Sequence, residues 1–113
     1  ANSYQKFIIK NHIRRELTRM GAERIQREEN SSDTPRPGML KDSQFRAMNI
    51  KVRMHQKGKA DVYISLNAPA GSFTRQKAQI TGERLSAVLD SLGVQESDTH
   101  FRIIPVKFFH YEE

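Results

Sequence analysis

The chain has 113 residues, including 19 Lys and Arg and 13 Asp and Glu, for a formal net charge of +6. This length favours a single domain over residues 1–113. The absence of cysteine excludes a disulfide scaffold, a thiolate metal site and a cysteine nucleophile. Apolar runs are too short for a membrane span. The composition therefore predicts one small basic domain.

The positive charge is concentrated in the first half of the chain. Residues 1–59 contain 14 Lys and Arg against 6 Asp and Glu, whereas residues 60–113 contain 5 against 7. A basic half favours an anionic partner, with nucleic acid first and a membrane surface second. The alternative is that these charges only keep a very polar domain solvated.

The first predicted element is an amphipathic helix over residues 3–20. Gly21 is suited to end it. Residues 22–29 either continue the helix or form a weak edge strand, and we favour the strand because Gly is a poor residue for a helix interior. Residues 30–43 contain Ser, Asp, Pro and Gly and predict a mobile loop. Apolar side chains recur at helical spacing along the first segment: Phe7, Ile9, Ile13, Leu17 and Met20.

Two alternating segments predict a β-hairpin. Residues 44–55 and residues 61–67 each alternate apolar and polar side chains, as half-buried strands do. The connection over residues 56–60 has Gly58 at its centre and is typical of a hairpin turn.

The last two elements are a helix and a strand. Ser72 is a plausible N-cap for a helix that ends near Leu92, and Gly93 is a natural stop. The strand over residues 100–111 follows and should run parallel to the second hairpin strand. The order of helix, weak strand, hairpin, helix and strand predicts an α+β fold, with two helices on one face of a small mixed sheet of four strands.

The polar face of the hairpin is the sharpest candidate for a binding site. A basic sheet face that carries an aromatic ring can hold phosphates by charge and stack a base. The alternative is the ordinary solvated face of an antiparallel hairpin. The candidate nucleic-acid-binding residues are Lys51, Arg53, His55, Lys57, Lys59, Tyr63 and Asn67.

The last strand is apolar on both faces, which suggests that something covers each of them. Pro105 cannot donate a ladder hydrogen bond and so favours an edge position. A second subunit can provide the missing cover, and so can the first helix within one monomer. The residues predicted for a subunit interface are Phe101, Ile103, Phe109 and Tyr111.

Other clusters point to no further chemistry. The arginines around the first helix (Arg14, Arg15, Arg19, Arg24 and Arg27) lie among glutamates, so helical ion pairs explain much of this second basic cluster. The four histidines lack metal-ligand spacing, and no nucleophile motif is present. We therefore expect no metal, no cofactor and no catalytic residue, and the protein is more plausibly a binding protein than an enzyme.

Two resemblances bear on the hypotheses. Residues 61–106 resemble the strand–helix–strand unit of the tautomerase superfamily. That family's base is an amino-terminal proline, whereas residue 1 is Ala and the matching strand is internal, so its reaction is not implied. The layout of the elements is similar to that of small ring-forming phage tail-completion proteins.

The leading hypothesis is a non-enzymatic, cytoplasmic protein that binds RNA or DNA. Removal of an initiator methionine before Ala1 fits that location, while a trimmed chain or a cleaved leader would give the same first residue. The alternative is a homo-oligomeric structural component, of a phage tail or a secretion apparatus, that assembles through its last strand.

Overall fold

A computed structural model describes residues 3–29 and 45–106, with side-chain positions for residues 3–20 and 45–106. These residues form an α+β fold, which confirms the predicted class. Within this part of the chain, no helix is long and apolar enough to cross a membrane. The elements in chain order are α1 (Ser3–Glu29), β1 (Arg46–His55), β2 (Lys59–Ala68), α2 (Arg75–Ser91) and β3 (Glu96–Pro105).

The three described strands form one mixed sheet in the order β1-β2-β3. β1 and β2 are the predicted antiparallel hairpin, and β3 pairs in parallel with β2, as expected for a strand–helix–strand unit. The predicted fourth strand over residues 22–29 is wrong, because α1 continues through Gly21 to Glu29. One glycine costs a helix only about 1 kcal/mol relative to Ala, and the residues that follow it are mostly good helix formers.

Both helices pack on the same side of the sheet. α1 contacts β1, α2 contacts β3, and the two helices contact each other. Phe7 was expected in the α1 stripe but is 60% exposed; it lies about 200° around the helix from Ile9, at 3.6 residues per turn. Phe101 and Ile103 of β3 are partly buried and pack against one core. Its buried residues come from α1, β1, β2, α2 and the segments beside β1 and β3: Ile9, Ile13, Leu17, Met20, Phe45, Ile50, Val52, Ala60, Val62, Ile64, Leu66, Ala68, Leu85, Leu89 and Val94.

The turn and cap residues test the predictions made from local sequence: the turn and the end of α2 are confirmed, and the N-cap of α2 is not. The hairpin turn has three residues between the paired His55 and Lys59, with positive φ at Lys57 (66°) and Gly58 (69°). Glycine takes such a φ without steric cost. Gly93 has φ 90° just after the α2 C-cap, where the sequence placed the stop. The predicted N-cap Ser72 is wrong, because its hydroxyl donates to the Pro69 carbonyl while Thr74 accepts from the Lys77 amide.

The last strand lies earlier in the chain than predicted. β3 begins at Glu96 rather than at residue 100, and it ends at Pro105. Proline suits this terminal position, because the next ladder bond is donated by the Val106 amide to the Ala68 carbonyl at 2.9 Å. The predicted loop over residues 30–43 and the end of the predicted strand from residue 107 lie outside the described residues.

Candidate functional site

The sheet has one face without helices, named here the open face. Strand alternation sends every second side chain to it, and each is exposed or half-buried. Its residues are Arg46, Asn49, Lys51, Arg53 and His55 of β1, Lys59, Asp61, Tyr63, Ser65 and Asn67 of β2, and Glu96, Asp98, His100, Arg102 and Ile104 of β3.

The structure brings most of the predicted binding residues together on this face. Lys51, Arg53 and His55 lie along β1, while Lys59, Tyr63 and Asn67 lie along β2. In the register, Lys51 is opposite Tyr63 and His55 is opposite Lys59. Lys57 lies in the connecting turn at the same end of the sheet.

A β-bulge adds a cation that the sequence did not reveal. The pairing of β1 with β2 shifts register between Ala47 and Asn49. Because a shift of one residue exchanges the two faces of a strand, Ala47 turns to the core and Arg46 to the open face, opposite Asn67. The extra residue, Met48, is 52% exposed.

β3 adds the residues that sequence reasoning missed. Its parallel pairing places Asp98 beside Asp61, His100 beside Tyr63 and Arg102 beside Ser65. The alternation of residues 96–104 carried this information, but the strand was assigned to begin only at His100. The open face therefore contains both carboxylates and cations rather than cations alone.

Asp61 lies between two histidines from the two neighbouring strands. His55 Nε2 lies 2.7 Å from Asp61 Oδ2, and His100 Nε2 lies 3.3 Å from Asp61 Oδ1. The hydrogen bond from His55, followed in importance by the one from His100, holds the pKa of Asp61 below its ordinary value of 3.8. Asp61 is therefore a carboxylate across the physiological pH range.

The imidazoles contact different oxygens of Asp61 instead of converging on a common point. Accordingly, no group of three or more His, Cys, Asp or Glu among the described residues is arranged to hold a metal ion. Both carboxylate oxygens are engaged, and Arg53, directly opposite Asp61 in the register, forms no ion pair with it.

Tyr63 and His100 stack with ring centroids 4.8 Å apart and ring planes 17° apart. Neighbouring strands are also about 4.8 Å apart. The stacking direction is therefore the direction between strands, and the rings stand up from the sheet instead of lying flat on it. Tyr63, which is 40% exposed, has one ring face covered by His100 and the other turned toward the Lys51 side.

Charges on the open face separate into two ends. Near the hairpin turn, Lys59 pairs with Glu96 at 3.3 Å, and Asp61 and Asp98 add two further carboxylates. The rest of the face is basic. Four exposed cations occupy it, and none forms an ion pair with any described residue: Arg46, Lys51, Arg53 and Arg102.

The arginines of the two helices differ from the cations of the open face in their partners and position. Arg19 and Arg84 both donate to the buried Glu16 carboxylate, so both are engaged within the fold. Arg14 and Arg15 are exposed on α1, away from the open face. The side chains of Arg24 and Arg27 lie outside the described residues.

Of the four residues predicted for a subunit interface, the structure describes two. Phe101 and Ile103 are half-buried on the helix-covered face of β3, where they pack against the core. Phe109 and Tyr111 lie outside the described residues. Cover for this face thus comes in part from the same chain, but the helix that contacts β3 is α2 and not the first helix, as the alternative predicted.

No protein-family model, curated protein or solved structure matches this chain. The site's chemistry alone therefore supports the functional proposal that follows.

Proposed function

We propose that this chain is a small basic, non-enzymatic domain that binds RNA or DNA through the open face of its sheet. One observation carries the proposal: four exposed cations share a continuous face, and no described carboxylate neutralises them. Arg and Lys in such an arrangement exchange water and counterions for phosphate oxygens, and the released counterions drive binding.

The cations supply affinity, while their neighbours add contacts to bases. Lys51 and Arg53 lie two residues apart on β1, a separation of about 6.7 Å along the strand, and can contact different phosphates. The Tyr63 ring beside Lys51 is 40% exposed and can contact one base. Asn67, opposite Arg46, can donate to or accept from a base edge.

The upright stack of Tyr63 and His100 limits the mode of base recognition. Two rings lying flat on a sheet would each accept a base, whereas in this pair each ring covers one face of the other. We therefore propose a binding mode dominated by phosphate contacts, with low sequence preference.

The direct test is equilibrium binding of fluorescent single-stranded and duplex oligonucleotides over a series of salt concentrations. Each phosphate contact should contribute about 0.9 to the slope of log K against log salt for duplex DNA and about 0.7 for a single strand. The absence of binding at low salt, or an affinity insensitive to salt, would remove the proposal.

A matched pair of variants assigns the binding to the open face. Lys51→Ala with Arg53→Ala removes two positive charges from that face and should reduce the salt slope by about 1.5. Arg14→Ala with Arg15→Ala removes the same charge from the exposed side of α1 and should leave the slope nearly unchanged. An equal decrease of the salt slope in the two variants would show that binding depends only on the net charge of the protein and not on the open face.

A second candidate is a homo-oligomeric structural component joined through β3. The observation that favours it is the edge position of β3, whose outer backbone groups pair with no strand in the described residues. A free edge can add a strand from another copy. Light scattering tests this candidate function. A structural component predicts a defined oligomer at all accessible concentrations, and a monomer contradicts it.

A further inference from the structure

We propose that proton uptake by His55 and His100 controls how strongly the open face binds a polyanion. The inference rests on the proposed function and concerns the regulation of the same site. Its basis is geometric: two imidazoles from opposite edge strands hydrogen-bond to one carboxylate at the centre of the face.

The proton enters at a defined atom. Because Nε2 of each ring faces a carboxylate oxygen, Nε2 carries the hydrogen in the neutral ring, and the added proton goes to Nδ1. Protonation therefore preserves both contacts with Asp61. The cluster of His55, Asp61 and His100 has a net charge of −1 when both rings are neutral and +1 when both are protonated.

The surrounding charges determine the effect of this change. Arg53 and Lys59 face His55 from β1 and β2, and Asp98 and Arg102 flank His100 on β3. Glu96 already pairs with Lys59. A groove of about 410 Å³ opens here and is lined by His55, Lys59, Asp61, Glu96 and Asp98 together with Ser86, Gln95 and Ser97.

With neutral imidazoles, the lining of this groove contains three carboxylates and a single Lys, so the turn end of the open face repels phosphate. Protonation of both rings reverses the sign of the central cluster. The two added charges offset the excess of two carboxylates at this end, so the turn end no longer repels a phosphate bound at Lys51 and Arg102. Histidine is the side chain that changes charge between about pH 5 and about pH 8, which makes the change accessible in solution.

The expected effect is moderate because the groups are exposed. One added charge about 7 Å from a phosphate in water strengthens binding about threefold, and two strengthen it about tenfold. We therefore expect the affinity to rise about tenfold as the pH falls from about 8 to about 5.5.

The test measures the affinity of the full chain for a uridine oligonucleotide, whose bases do not take up a proton in this range. The salt concentration is held constant between about pH 5.5 and about pH 8. The double variant His55→Gln with His100→Gln should lose most of the rise in affinity between the higher and the lower pH. His12→Gln, which changes a histidine of α1, is the matched control and should keep the rise.

A second variant tests the central carboxylate. Asp61→Asn removes the negative charge but leaves an amide oxygen for one imidazole, and it should raise the affinity at about pH 8 about threefold. An affinity unchanged by this substitution contradicts the inference.

The remaining outcomes separate the two proposals. If the wild type binds equally at both pH values, or the double variant keeps the full rise, the regulatory inference is overturned while nucleic-acid binding stands. If no binding occurs at any pH in low salt, both are overturned.

Discussion

Arg84 of α2 donates two hydrogen bonds to one oxygen of Glu16 on α1, from Nε at 3.0 Å and from Nη2 at 2.6 Å. The two residues are 68 positions apart in the sequence. Arg19, one turn further along α1, donates to the other oxygen of the same carboxylate. Glu16 is only 7% exposed, and burial of a charge is costly unless it is paired. This ion-pair cluster therefore ties the two helices together in one relative position.

Replacing Glu16 with Gln should lower the free energy of unfolding by about 2 kcal/mol, because the arginines lose their charged acceptor in a buried position. Urea denaturation followed by circular dichroism measures the change. Glu83→Gln is the matched control on α2, since Glu83 is exposed and its described contact is a long one with Gln79. An equally small effect at both positions would contradict the structural role of Glu16.

Stability should fall at acid pH partly through this carboxylate. Burial opposes ionisation of Glu16, but hydrogen bonds from Arg84 and Arg19 outweigh it and hold the pKa below its ordinary value of 4.5. A lowered native pKa stabilises the fold fully above pH 4.5, and the contribution is lost as the pH falls through the native value. Denaturation at a series of pH values should show this loss in the wild type and a weaker loss in Glu16→Gln. Equal pH profiles in the two proteins would exclude the effect.

Thr81→Val should raise the free energy of unfolding by about 1 kcal/mol. Thr81 is fully buried on α2, and its hydroxyl has no hydrogen-bond partner in the described structure. Valine keeps the branched shape and removes the unpaired polar group. Thr18→Val is the control, because the Thr18 hydroxyl is exposed and donates to the Arg14 carbonyl; it should change stability by less than about 0.5 kcal/mol. Thermal unfolding of both variants measures these changes, and a lower stability of Thr81→Val than of the wild type would contradict the prediction.

Neighbouring residues of β3 should respond differently to a charge. Ile103 packs against the core, whereas Ile104 is 40% exposed on the open face. Ile103→Asp should lower the free energy of unfolding by at least about 2 kcal/mol, and Ile104→Asp by about 0.5 kcal/mol. If Ile103→Asp instead yields a stable protein that changes only from an oligomer to a monomer, Ile103 belongs to a subunit interface.

Two glycine substitutions should have opposite signs. Gly58 has φ 69°, so Gly58→Ala should cost about 1 kcal/mol of backbone strain. Its added methyl group would meet the Gly93 carbonyl at 3.5 Å and the Gln95 amide nitrogen at 3.9 Å, both ordinary contacts. Gly82 lies inside α2 with nothing within 4 Å of an added Cβ. Gly82→Ala should therefore raise stability by about 0.5–1 kcal/mol. Chemical denaturation measures both, and the same sign in both variants would contradict the prediction.

Elements with strong local signals could be predicted from the order of the amino acids. Alternation along residues 44–55 and 61–67 predicted the hairpin, whose strands span residues 46–55 and 59–68. The glycines at positions 58 and 93 marked its turn and the end of α2. The basic face of the hairpin followed, because side chains two residues apart on a strand must share a face. The predicted end of the first helix at Gly21 was wrong, because the small helix-propensity cost of one glycine did not outweigh the good helix formers after it.

Only the tertiary structure decided which side chains meet across elements. The bulge that turns Arg46 to the open face and the register that brings His100 to Asp61 depend on pairing between distant segments. The contact of Glu16 with Arg84 depends on how two helices dock. Such partners are selected by the packing of one shared core, whose free energy comes from all elements together. The local pattern therefore identified a basic surface, and the docked sheet placed a carboxylate and two histidines at its centre.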